Sequence, residues 1–75
     1  MITIRQEHPT GVRVRAVHES GIALFIHEVE VTQGESVEYL WVTECGELCE
    51  VDGDEALITT VRGQVPVRIL QRFES

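Results

Sequence analysis

Lysine is absent from this 75-residue chain: the six basic residues are all arginines, set against 13 acids for a net charge of -7. Nucleic-acid surfaces draw most of their affinity from clustered Lys and Arg, so this balance argues against a phosphate-backbone ligand. The use of Arg alone fits a GC-rich bacterial genome and needs no chemical explanation. An acidic surface keeps a small protein soluble, or meets a basic partner. Aromatic residues are also scarce. Phe25, Tyr39, Trp41 and Phe73 are too few and too closely flanked by acids to form a base-stacking platform.

Long apolar runs are missing as well. Nothing approaches the roughly 18 residues a membrane-spanning helix needs. The opening Met1-Ile2-Thr3-Ile4-Arg5 alternates like a strand and has no apolar signal segment. A cytoplasmic protein without membrane or nucleic-acid partners is the expectation. Catalytic signatures are absent too: there is no Gly-rich phosphate loop, no G-x-S-x-G elbow and no H-E-x-x-H pair. Ser20, Ser36 and Ser75 fall in turns or at the terminus, with no evident base. These absences point away from an enzyme.

What is present is a rhythm. Runs rich in Val, Ile and Thr are each closed by a glycine, at Gly11, Gly21, Gly34, Gly46, Gly53 and Gly63. β-Branched runs with period-two apolar alternation between turn residues predict strands, and no stretch carries a helical period. Strands are expected over 2–7, 12–19, 22–32, 36–44, 48–51, 56–62 and 65–72. The fold expected is a single all-β domain over 1–75. It is an antiparallel meander of six or seven short strands, curled into a small barrel or a two-layer sandwich, with little or no helix. A core this small often needs a disulfide, a metal or a second subunit.

Turn chemistry suggests registers. A two-residue loop at Ser20-Gly21 sets Val17 opposite Leu24, and places Val14 and Ala16 on one face with Phe25, His27 and Val29. An odd loop at Gln33-Gly34-Glu35 sets Val31 opposite Val37 and His27 opposite Trp41. The tip at Arg62-Gly63-Gln64 aligns Leu57, Thr59 and Val61 with Val65, Val67 and Ile69. Pro66 cannot donate to a ladder, which makes the last strand an edge or the start of a bulge.

Three groups of residues could carry function. Ile22, Leu24 and Ile26 leave one strand apolar on both sides, as in a central strand or a subunit interface. Cys45 and Cys49 have a spacing compatible with a zinc pair, completed by His18 and His27, or with a cross-strand disulfide. Their plainer role is as small buried hydrophobes. Asp52-Gly53-Asp54-Glu55 gathers carboxylates, but it lacks the twelve-residue loop of a helical calcium site and reads as a turn. The function expected is a small acidic β-domain acting as a non-catalytic protein-interaction or regulatory module, a homodimer in the leading version. It carries no cofactor unless zinc binds Cys45, Cys49, His18 and His27 in the alternative metal or thiol reading.

Overall fold

In a computed structural model that describes residues 4–74, the chain forms a closed barrel with strand order β1-β2-β3-β4-β5-β6. The strands are β1 (Arg5–Val17), β2 (Ala23–Gln33), β3 (Ser36–Thr43), β4 (Leu48–Asp52), β5 (Glu55–Thr60) and β6 (Gly63–Phe73). All neighbours are antiparallel, and β1 and β6 pair to complete the barrel. The expected all-β meander is thus a barrel, with closure in place of an exposed terminal edge.

The expected strands 2–7 and 12–19 are one strand from Arg5 onward; residues 2 and 3 lie outside the described residues. Pro9 and Gly11 read as a turn, but they form an irregularity that the strand passes through. Its register to β2 shifts between Pro9 and Arg13, and Gly11 has φ 91°. A left-handed glycine at an inserted position is how an antiparallel strand bulges and bends without ending.

The expected hairpin registers are each displaced by an odd number of residues, which exchanges the faces. At the first turn His18 N–H donates to Ile22 O (2.8 Å) and Gly21 N–H to His18 O (2.9 Å). The loop is therefore Glu19-Ser20-Gly21, one residue longer than a two-residue turn, with Gly21 in the left-handed position that this loop type requires. Val17 then pairs with Ala23, and Val14 and Ala16 pair with Ile26 and Leu24. Phe25, His27 and Val29 consequently face outward.

Gly34 (φ 61°) opens a two-residue loop, so Val31 pairs with Glu38 and His27 with Val42. At the last hairpin Thr60 pairs with Gly63 and Leu57 with Pro66, which turns Ala56 and Ile58 inward and leaves Val61 fully exposed. Pro66 lies in the part of β6 that is paired to β5 alone, because β1 joins β6 only from Arg68 onward. The proline thus has the one-sided surroundings it needs, although β6 is no edge.

The interior is narrow. Val14, Ala16, Ile26, Cys49, Ala56, Ile58 and Val67 form the core, with Leu24, Trp41, Val51, Val65 and Ile69 packed around them. Alanines at positions 16 and 56 let facing walls approach closely enough for side chains to fill the interior. On the outer surface the Arg13 guanidinium lies 5.2 Å from the Phe25 ring centroid and 5.4 Å from that of Phe73. Because Phe25 is on β2 and Phe73 on β6, this contact bridges the strands that flank β1 at the closure.

The molecule measures 47 × 31 × 19 Å, and β1 and β2, with 13 and 11 residues, run past the segments that pair within the closed wall. Their surplus, with the first half of β3, projects as a three-stranded arm made of residues 5–12, 28–33 and 36–40.

Ile26, with none of its surface exposed, should be the side chain most sensitive to truncation. Ile26→Ala is expected to lose about 2–5 kcal/mol in urea unfolding, whereas Val61→Ala should stay within about 0.5 kcal/mol.

Candidate functional site

The arm departs from the barrel where one ladder stops. β4 pairs with β3 at Val42↔Leu48 and Trp41↔Cys49 and no further, although β3 continues back to Ser36 and β4 forward to Asp52. Past Trp41 and Cys49 the two strands diverge into a notch. β4 follows β5, whose own pairing with β6 closes the barrel, while β3 follows β2 into the arm.

Antiparallel pairs alternate between hydrogen-bonded and non-hydrogen-bonded. Counting from the closing pair Gln33↔Ser36, the residues of β3 that turn their N–H and C=O toward β2 are Ser36, Glu38 and Leu40. Val37, Tyr39 and Trp41 turn theirs the other way. Trp41 meets Cys49, but Val37 and Tyr39 have no strand beside them among the described residues. Their side chains are also open, 53% and 58% exposed. This edge carries neither proline nor lysine, the usual guards of an unpaired strand.

The other edge of the arm is guarded. β6 reaches β1 only from Arg13, so among the described residues Arg5–Val12 has a single neighbour, β2. The same alternation directs Pro9 outward, where its missing N–H costs no ladder bond. The Gly11 irregularity bends this edge, and an Arg5–Glu7 ion pair (3.1 Å) sits near its end.

The residues singled out from sequence are dispersed by the fold. Ile26 is buried in the core, Leu24 packs against it, and Ile22 is 67% exposed in the first turn; they form no common surface stripe.

Cys45 and Cys49 do not face one another. The turn hydrogen bonds Thr43 N–H to Glu47 O and Gly46 N–H to Thr43 O, both 2.9 Å, make the loop Glu44-Cys45-Gly46. Cys45 is thus exposed in the turn, Cys49 is buried opposite Trp41, and both thiols are free. His18 Nδ1 faces the Ser20 amide and hydroxyl (3.2 and 2.8 Å) in the first turn. His27 lies on the outer face beside Phe25, 3.9 Å from Glu44. Among the described residues no three His, Cys, Asp or Glu side chains converge as a metal-holding group. Residue pattern alone does not mark Val37–Tyr39 as open, because the opening depends on where the β3–β4 ladder stops, at Trp41↔Cys49.

Thr43 is the only buried polar residue among those described, and its Oγ1 accepts the Glu47 amide at 3.1 Å. Burial, with a smaller contribution from the Glu47 charge, pushes the Cys49 thiol from 9.0 up to about 11. Its Sγ donates to Glu47 O at 3.6 Å, which also favours the protonated form.

No family model, curated protein or solved structure matches this chain. No helix among the described residues is long and apolar enough to cross a membrane.

One thiol per chain, Cys45, should react with a thiol reagent in the native state near neutral pH, and two after unfolding. The unfolded Cys49 thiol ionises at 9.0 and the folded one at about 11. The unfolded state therefore releases its proton first as pH rises. The stability this protonated thiol contributes is intact below pH 9 and is lost as pH climbs toward 11. Cys49→Ala should flatten that decline in denaturation midpoints across the same range; an unchanged decline would contradict the assignment.

Proposed function

We propose that this chain is a non-catalytic protein-interaction module, a small acidic barrel that engages another polypeptide through the β3 side of its arm. The observation that carries the reading is the open ladder at Val37 and Tyr39, whose main-chain groups face solvent beside exposed apolar and aromatic side chains. An unpaired strand without proline, lysine or a bulge is a ready template for a strand from another chain, and such pairing is a recurring mode of peptide recognition. The guarded β1 edge supports a one-sided arm, with binding confined to β3. Two unbridged cysteines accord with action in a reducing compartment such as the cytoplasm. The alternative metal or thiol centre would need Cys45, Cys49, His18 and His27 to converge, and among the described residues no such group is drawn together.

The test is a photo-crosslinking amino acid placed at position 39 in cells of the source organism, with position 61 as the control, since Val61 is fully exposed but lies on a closed hairpin. Discrete polypeptide adducts from position 39 and none from 61 are expected. No adduct at 39, or the same adducts from both positions, would contradict the reading.

A further inference from the structure

Resting on that reading, we propose that the open edge of β3 takes an extended, basic polypeptide segment as an added strand. The main-chain groups of Val37 and Tyr39 would supply the hydrogen bonds, and the acids around the notch would select the charge.

The charge is local to the notch. Glu35 and Glu38 lie on or beside β3, Glu50 and Asp52 on the diverging β4, and Glu28 and Glu30 on the neighbouring β2. Neither 28–41 nor 48–55 contains a basic residue. At the apex Arg72 lies 6.0 Å from the Trp41 ring and is bound to Glu74 at 2.9 Å. Arg5 is engaged with Glu7 at 3.1 Å on the far strand of the arm. A bound strand would therefore enter a region in which acids outnumber bases and both nearby arginines are already paired, where complementary charge raises both selectivity and association rate.

The alternation of β3 also specifies side-chain order. Val37 and Tyr39 present an apolar row on one face of the edge, while Glu38 stands on the other. Directly opposed cross-strand pairs favour apolar against aromatic and cation against anion. The complementary segment is thus one in which Arg or Lys alternates with Val, Ile or Thr.

A second copy of this chain is a poorer occupant. Each copy carries a charge of -7, and an antiparallel pair centred on 36–40 sets Glu38 against its own counterpart. A pair centred on Tyr39 would need the side of Trp41 already occupied by Cys49.

The experiment titrates the intact protein with a peptide of about eight residues alternating Arg and Val, and with its Glu-Val counterpart, long enough to cover the edge. The emission of Trp41, the one tryptophan, at the apex of the notch, reports binding. The Arg-Val peptide should give a saturable change that weakens with added salt, and the Glu-Val peptide none. Val37→Pro removes an outward N–H that the fold does not use. It should weaken Arg-Val binding about tenfold or more, about 1.4 kcal/mol, with the melting temperature unchanged. Glu38→Lys, on the opposite face of the strand, should weaken Arg-Val binding and admit Glu-Val, so a poorly folded proline variant would not leave the question open.

Equal binding of the two peptides, or no binding of either, would overturn the proposal. So would Arg-Val binding that neither variant affects. Association of the protein with itself in the absence of peptide, seen as a doubled mass, would make a second copy the occupant and also overturn it. In each of these cases the crosslink at position 39 still judges the broader interaction reading.

Discussion

The short ladder between β3 and β4 is the constraint on which the rest of the structure depends. Two residue pairs join these strands, and at Trp41↔Cys49 the chain makes two incompatible commitments. β4 must stay with β5 so that β6 can return to β1 and close the barrel. β3 must stay with β2, whose eleven residues run well past the barrel wall. Both are met by letting the strands part. The buried Cys49 and the half-buried Trp41 stand where they do so, one in the core and the other packed against it.

The core explains why the parting is tolerated. Its members come mostly from the closed part of each strand, and alanines at positions 16 and 56 keep the bore narrow enough to fill. The arm contributes little to that core, although Val31 is buried on its outer face in the same row as Glu7 and Glu38. The outer cation–π contact of Arg13 with Phe25 and Phe73 helps hold the closure, at about 0.5–1 kcal/mol for an exposed contact of this type. The molecule thus divides into a closed wall that holds itself together and a projecting sheet with one blunted edge and one open edge.

The architecture was legible because its signal is redundant: six glycines, period-two alternation and β-branched runs all agree. Register was not legible, because it depends on loop length, and loop length depends on which glycine position takes the left-handed conformation. Gly21 and Gly46 each close a three-residue loop, while Gly34 opens a two-residue one. A one-residue difference at each turn exchanged inside and outside, sending Phe25 and His27 outward and Ile26 into the core. Pro9 is ambiguous for a related reason, since a proline at a turn and a proline at an outward edge position look alike without the pairing. The candidate site lay beyond reach altogether: an unpaired edge is a property of where neighbouring strands end, and no residue pattern in 36–40 records that β4 turns away.

The central claim is that the β3–β4 ladder opens beyond Trp41, and amide hydrogen exchange of the free protein tests it most directly. Along β3 the account predicts alternating protection. The Glu38 and Leu40 amides, bonded to β2, and that of Trp41, facing Cys49, should exchange slowly, while those of Val37 and Tyr39 exchange close to the unprotected rate. Protection at Val37 and Tyr39 equal to that at Glu38 and Leu40 would mean that the edge is already covered, and would contradict the account.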